Sequence, residues 1–501
     1  MRGKRALYNS ASFLALEIIS VLCGFILPRA ILSAFGSDYN GLTASITQFL
    51  SIVTLLRAGV GGVTRAALYK PLAENDMDRV SSIVNATANF IRRIAYIFAA
   101  GLIVFSLIYP LLVSETADYG FTCALVLIMG ISTFVQYYFA ITYQMLLIAD
   151  QRQYITAIIQ CFTLILNLII ALAMINMGFG IHAVKLGSAI VYCLNPVLTV
   201  LYIKRKYRLS REAEPDNTAL SQRWDAFAHQ IAAYVQENTD VMVLTTFSTV
   251  AEVSVYSVYF LVANGVKKLL STITAGIEAL FGNMIATGDR EGLKRNMERA
   301  SVTVFYSAAL VYACLLILIV PFVSVYTEGI TDAEYQRPLF ALLLAASQFV
   351  SCVRTPYQNI IDAAGHFKQT KLSAIIEAAL NVVISIAAVI RFGLIGVAIG
   401  TLISSLYRTV YLALYASKHI LGGGFGHFAK RMLLSIIQIG IAYFISDRLV
   451  NIAVGDYFTW FIYAMAVGAI SLATVLVFAL IFDRKVFIDC FKKVLSLIKA
   501  R

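Results

Sequence analysis

The feature that most constrains this chain is the recurrence of apolar segments long enough to cross a ~30 Å hydrocarbon core, which takes about 20 helical residues each. Fourteen spans are read along the 501 residues: 12–35, 41–66, 89–113, 121–148, 154–176, 181–203, 228–248, 255–285, 300–325, 338–361, 372–390, 394–417, 432–453 and 458–482. A helix satisfies its own backbone polar groups in lipid, so the expected fold class is all-α and multi-pass. The 59% hydrophobic content excludes an ordinary soluble domain. The basic start (Arg2, Lys4, Arg5) is not a signal peptide, because the apolar run behind it is too long and carries Glu17, Pro28 and Arg29.

An even number of spans puts both termini on one side of the membrane. With that side cytoplasmic, all but eight of the 40 lysines and arginines face inward. The eight are Arg29, Arg57, Lys185, Arg337, Arg354, Arg391, Arg408 and Arg448; four lie near outer ends and four within spans. The net charge of +12 is thereby read as topology and contact with anionic inner-leaflet lipid, with no nucleic-acid partner expected.

An internal repeat orders the spans. Phe35 matches Phe247, Pro110 falls near Pro321, and Tyr143-Gln144 matches Tyr357-Gln358. Phe179-Gly180 matches Phe392-Gly393, Leu201-Tyr202 matches Leu414-Tyr415, and the triplet at Ala157 recurs at Ala374. Each copy holds six spans, so the copies share one orientation, with a pseudo-twofold axis along the membrane normal. The division expected is an N-lobe at 1–203 with spans one to six and a linker at 204–230. A C-lobe at 231–417 with spans seven to twelve follows, then spans thirteen and fourteen at 418–482 and a basic amphipathic tail at 483–501. The linker opens as a solvated stretch with Pro215 as breaker. It then places Leu220, Trp224, Phe227 and Ile231 at the spacing of an amphipathic helix on the inner surface.

Enzyme chemistry finds no support. There is no GxxxxGK[ST] loop, and the five histidines have no ligand spacing. The seven cysteines make no CxxC pair, and neither a metal nor a cofactor is expected. The charges inside the apolar text are the positive signal. Arg57 lies in LLRAGVGGVTR, where an arginine costs roughly 2.5–3.5 kcal/mol unless it meets a wet cavity or an anion. Glycines beside it admit close approach, and a guanidinium suits phosphate. Against this stands a plain salt bridge pinning helix packing. Arg29 in span one either snorkels to outer headgroups or faces the cavity. Glu17 lies near the inner end of the same span. Glu237 and Asp240 sit three apart on one face of span seven, the deepest carboxylates in the chain. Lys267 and Lys268 lie in span eight, and Arg354 precedes a helix-bending proline in span ten. Glu377 and Arg408 are read as structural, and Gln48, Gln136, Gln144, Asn264, Gln358 and Asn381 as helix-to-helix hydrogen bonds.

The opening GFILPRAILSAFGSDYNGLTASITQFL, followed by LLRAGVGGVTRAALYKPLAENDMDRV, resembles bacterial polysaccharide transporters of the Wzx type. These belong to the superfamily that also holds the lipid II flippase MurJ and the multidrug and toxin extrusion (MATE) transporters. The local match covers roughly Ile26–Val80, and the remainder matches in architecture. The resemblance implies a flippase of the bacterial plasma membrane that moves oligosaccharides linked to undecaprenyl pyrophosphate, for cell-surface polysaccharide synthesis. It implies a cleft lined by spans one, two, seven and eight, which hold Arg29, Arg57, Glu237, Asp240, Lys267 and Lys268. Arg29, Arg57, Lys267, Lys268 and Arg354 become candidate substrate-binding residues, and Glu17, Glu237 and Asp240 candidate coupling or gating residues, with H+, Na+ or the membrane potential as drive. Implied partners are the lipid-linked substrate, membrane lipid, and a polysaccharide polymerase with glycosyltransferases. The alternatives are a MATE-type cation-coupled drug antiporter, a MurJ-like lipid II flippase, a membrane-embedded glycosyl or acyl transferase, and a scaffold without transport.

Overall fold

The computed structural model describes residues 2–114, 116–210, 213–216, 234, 238–274 and 277–489, and only the backbone at 2–7, 10, 53–59, 62, 66, 272–274, 278–279 and 286. Among the described residues every regular element is helical. Those of the first half are α1 (Arg2–Phe35), α2 (Ser37–Leu50), α3 (Val53–Glu74), α4 (Met77–Leu112), α5 (Tyr119–Phe139), α6 (Ile141–Ala149), α7 (Gln153–Asn176), α8 (Ile181–Lys206) and α9 (238–247). The second half holds α10 (Val250–Thr274), α11 (Ile277–Thr287), α12 (Arg290–Tyr326), α13 (Pro338–Val353), α14 (Thr355–Ala363), α15 (Phe367–Phe392), α16 (Leu394–Ala416), α17 (Gly426–Leu449) and α18 (Tyr457–Phe482).

Among the described residues, eleven helical stretches are long and apolar enough to cross a membrane unaided. The fourteen-span reading adds α2–α3, α9 and α10–α11. Those spans are broken, polar or only partly described, and they carry Arg57, Asp240, Lys267 and Lys268.

The repeat reappears in the helix junctions. Asn75 closes α3 with a left-handed backbone (φ 57°), and Asp76 then caps α4 by accepting from Arg79 N at 3.0 Å. In the second half Gly288 (φ 69°) follows α11, and Asp289 caps α12 by accepting from Gly292 N at 2.8 Å. Gln151 (φ 57°) ahead of α7 corresponds in the same way to Gly365 (φ 71°) ahead of α15. Glycine adopts this region freely and asparagine tolerates it, so the turns share one geometry while Gln151 alone of the four is a residue poorly suited to it. These junctions set the register between α7 and α15. The triplet match of Ala157 with Ala374 falls out of that register by one turn: Ala157 is the fifth residue of α7, Ala374 the eighth of α15.

The chain divides into two compact units, Met1–Ser254 and Val255–Arg501. The division falls inside α10, so α9 packs with the first unit. There α1 lies on α7, α4 on α5, and α8 on both α5 and α7. Leu42, Ile46, Ile91, Ile94, Tyr109 and Leu125 fill its core. The described start of the stretch read as a solvated linker is largely exposed and is also bonded along α4. Asn85 Nδ2 donates to Ser210 O (3.1 Å) and Ala213 O (3.0 Å), Ser210 N donates to Ser81 Oγ (3.0 Å), and Ser82 donates to Glu214 O. Extended backbone beside a helix needs such partners, and the serines and asparagine of α4 supply them. The amphipathic part of the linker and the tail beyond 489 lie outside the described residues.

In the second unit α15 and α16 pair closely, and α13 lies on α16. Gly396 and Gly400 permit this approach: a Cβ on either would come within 3 Å of α15 atoms. The spans without a repeat partner, α17 and α18, pack on α12. Trp460 Nε1 donates to Leu318 O at 3.2 Å, and Arg431 bridges Glu298 (3.6 Å) and Asp483 (3.3 Å).

Candidate functional site: a polar seam along span two

Span two is two helices. After Leu50 the α2 ladder closes on Ser51, whose N–H donates to Thr47 O (3.0 Å) and Gln48 O (3.2 Å), and α3 resumes at Val53. The α2 residues Asn40, Ser45, Gln48 and Ser51 recur at helical spacing and meet residues 234–254 in reverse order. Asn40 Nδ2 donates to Ser254 Oγ at 2.7 Å, Ser45 Oγ and Thr245 Oγ1 share a hydrogen bond of 2.7 Å, and Gln48 Nε2 donates to Asn238 Oδ1. Ser51 Oγ lies 3.0 Å from Tyr234 Oη, which also reaches Gln48 O at 3.3 Å. Positions 234, 238 and 245 follow the four-and-seven spacing of one helix face. Gly41 sits against the α9–α10 turn so closely that a Cβ would stand 1.7 Å from Val250 O.

The bonded pairs are uncharged; those of Asn40 and Ser45 are buried, and those of Gln48 and Ser51 are half-buried. Ser45 and Ser254 are fully buried, and Asn40 and Thr245 nearly so. Each bond contributes a net ~0.5–1.5 kcal/mol, so four together hold firmly while any one breaks cheaply. Small hydroxyl and amide groups also find water or one another once parted. An interface of this kind can open and reseal, unlike an apolar core whose parting would expose area without compensation.

Asp240 lies within α9 beside Asn238 and is 8% exposed. Arg29 is half-buried in α1, and Glu17 is exposed on the same helix. On α10 Lys267 is half-buried and Lys268 exposed. Glu237 lies outside the described residues, and of Arg57 only the backbone, within α3, is described. Arg354 caps the break between α13 and α14 and reaches Glu377 Oε1 at 2.6 Å; Arg408 Nε stands 3.7 Å from Glu377 Oε2. Arg408 also donates to Thr370 O at 2.9 Å and to Ser373 Oγ. Glu377 and Arg408 therefore hold helices together, as the sequence suggested, and they draw Arg354 into the same network.

At the α6–α7 junction Asp150 takes Arg152 Nε at 2.6 Å and the Tyr207 hydroxyl. Burial, then the bond to the Asp150 carboxylate, raises the Tyr207 hydroxyl above its ordinary value, so it stays a donor at physiological pH. Arg152 Nη1 donates to Tyr202 Oη at 3.3 Å; at the repeat-equivalent junction the Tyr415 hydroxyl and His366 Nδ1 lie 3.0 Å apart. No group of three or more His, Cys, Asp or Glu able to hold a metal occurs among the described residues.

Sequence reasoning named Gln48 but missed Asn40, Gly41, Ser45, Ser51, Thr245 and Ser254. The available signal was the small polar residues at fixed spacing in GLTASITQFLS, ahead of the break.

No known family profile and no curated protein matches the chain. Its fold is shared with solved transporters. It is similar to the lipid II flippase MurJ in an inward-closed conformation (TM-score 0.68, 17% identity, 96% of this chain and 100% of that one). An inward-facing multidrug MATE transporter gives a TM-score of 0.58 at 15% identity, over 81% and 98% of the two chains. The MATE transporter VcmN of Vibrio cholerae gives 0.56 at 14%, over 84% and 99%. At these identities the likeness is one of fold.

Proposed function

We propose that this protein is a Wzx-type flippase. It moves an oligosaccharide linked to undecaprenyl pyrophosphate across the bacterial plasma membrane by alternating access, with both termini cytoplasmic. The observation that carries the reading is the polar seam, an uncharged closure made of bonds that exchange readily, lying along a cleft-lining span of the resembled family. In this reading the seam is the outer closure. Arg29, Arg57, Lys267 and Lys268 take the pyrophosphate by charge-assisted contacts. Arg354 joins them only by leaving Glu377. Glu17, Glu237 and Asp240 are the groups that would take up H+ or Na+. The sugar occupies the wet cavity while the prenyl chain stays in lipid.

Two further readings draw on the structures the fold resembles. Lipid II would be the cargo if the likeness to MurJ extended to substrate, and a drug if the likeness to MATE did. Proteoliposomes decide among them. Purified protein is expected to move a fluorescent lipid-linked oligosaccharide between leaflets about tenfold or more faster than empty vesicles, a barrier change of about 1.4 kcal/mol. Arg57→Ala should abolish this, and Arg57→Lys should restore part, because lysine lacks the bidentate fork. Cation-driven drug uptake without lipid movement would replace the proposal with the antiporter. Preference for the lipid II peptide over oligosaccharide cargo would replace it with the lipid II reading.

A further inference from the structure

On the face of α2 away from α9, the same broken turn makes the wall of an apolar groove. Phe49, Leu50 and Ile52 form one side and Ile97, Phe98, Gly101, Leu102 and Phe105 of α4 the other, around about 290 Å³. Leu50, Phe98 and Leu102 are the buried floor. Phe49 packs on Phe105 (5.2 Å between ring centroids) and Tyr109 (5.8 Å) as its far wall. Position 101 on its wall is glycine, and a Cβ there would meet nothing within 4 Å. Ile52 and Ile97 on the rim are exposed, as are Ile103, Val104, Leu107 and Ile108 further along α4. A run of exposed large apolar residues on a spanning helix faces hydrocarbon, so the groove opens onto the acyl chains of the bilayer.

What lies below fixes the ligand. Arg92 and Arg93 are both exposed on α4, two turns before Gly101. Arg92 Cζ lies 5.5 Å from the centroid of the Tyr138 ring, and Tyr138 meets Tyr96 edge-on at 5.7 Å. Arginines and tyrosines at one level mark a membrane–water interface. Arg93 forms no ion pair among the described residues. Eight residues of helix separate Arg93 from Gly101, a rise of about 12 Å. Arg93 lies about 80° round the helix from Gly101, so a phosphate held there leaves its chain within reach of the groove, whereas Arg92, about 180° round, turns to Tyr138.

We propose that α4 and the α2–α3 turn form a site for one anionic phospholipid, headgroup phosphate on Arg93 and acyl chain in the groove beside Gly101. The chain packs against Leu50 and Ile52, which flank Ser51, and Ser51 is bonded to Tyr234 across the seam. The bound lipid therefore braces, from the hydrocarbon side, the turn that the seam holds from the other. The site does not depend on what the protein transports.

The test uses the full-length protein in nanodiscs of phosphatidylcholine containing phosphatidylglycerol with a diazirine at its chain terminus. Photolysis should label peptides covering 97–105 and 49–52, and unlabelled phosphatidylglycerol should compete. The variant Arg93→Gln should weaken competition about fivefold, the effect of one cationic contact at the membrane surface. Gly101→Phe should abolish the label while leaving the thermal midpoint unchanged, since position 101 faces open space. Equal labelling by a phosphatidylcholine probe, or full labelling of the arginine variant, would reduce the groove to annular lipid and overturn the site. Competition by a polyprenyl diphosphate but not by phosphatidylglycerol would overturn it in favour of the transported lipid's tail.

Discussion

At the break of span four stands Ala140, wholly buried; at the equivalent break of span ten stands Arg354. The same register, taken from the matched junctions, sets Thr163 of α7 against Glu377 of α15, Asn195 of α8 against Arg408 of α16, and Asn167 against Asn381. In the first unit the centre of these three spans is neutral: Gln144 donates to Asn195 at 3.4 Å, and Thr163 bonds back to Ile159 O at 3.0 Å. In the second unit the centre is ionic, with one glutamate between two arginines. One scaffold thus carries two kinds of glue. Neutral hydrogen bonds in lipid are modest and reversible. A buried ion network costs desolvation and is intolerant of losing a member. On this chemistry the first unit, which also holds the seam, is expected to yield more readily than spans ten to twelve.

That contrast breaks most directly at Glu377. Glu377→Ala leaves the buried Arg408 and the half-buried Arg354 without their carboxylate and should cost about 3–5 kcal/mol. Thr163→Ala, its counterpart, should cost about 1 kcal/mol. Thermal unfolding of the purified variants measures both, and equal losses would abolish the distinction. Giving the second unit the chemistry of the first sharpens it. The combination Arg354→Ala, Glu377→Thr and Arg408→Asn should recover all but about 1 kcal/mol of the loss, because replacing a buried ion network whole is far cheaper than breaking it. A triple variant as unstable as Glu377→Ala would show that the ions do more than neutralise one another.

Packing at two glycines gives the next effect. Gly41→Ala drives a methyl into Val250 O and should destabilise by about 1–3 kcal/mol, with cysteine accessibility rising at position 45. Gly101→Ala, in open space, should stay within about 0.5 kcal/mol. The smallest effect belongs to α18, which has no repeat counterpart. Its cap Asp456 accepts from Thr459 N at 2.7 Å, and that bond lowers the carboxyl below its ordinary value. A lowered value means the cap's contribution is complete above the ordinary carboxylate range and fades as pH falls through the lowered one. Amide exchange at Thr459 should quicken only in that acid window, and Asp456→Asn should remove the pH dependence.

Much of this was legible in the chain. Length and hydropathy specify helices, and the repeat matches at Tyr143-Gln144, Phe179-Gly180 and Leu201-Tyr202 lie in register with the junctions. The charges Glu377 and Arg408 read as structural, and they are. Their partner Arg354 read as substrate-binding because sequence shows a charge but not its neighbour: the bond to Glu377 spans 23 residues and needs the packed helices to exist. The seam was hidden for a different reason. Serine, threonine and asparagine are common in membrane helices, and one such residue says nothing about which helix it faces. Only the alignment of Asn40, Ser45, Gln48 and Ser51 with a second polar face gives them meaning. The break after Leu50 left no mark either, for no proline or glycine stands at Ser51 or Ile52.

The central claim is that the seam opens and closes during transport. Ser45 Oγ and Thr245 Oγ1 lie 2.7 Å apart, so cysteines at both positions are within reach of a disulfide. The measurement is lipid-linked oligosaccharide movement by Ser45→Cys/Thr245→Cys protein in proteoliposomes, oxidised and then reduced. The account predicts that oxidation lowers the rate at least about tenfold, a barrier increase of about 1.4 kcal/mol, and that reduction restores it. Undiminished movement by fully cross-linked protein would contradict it, because the seam would then be a fixed part of the fold.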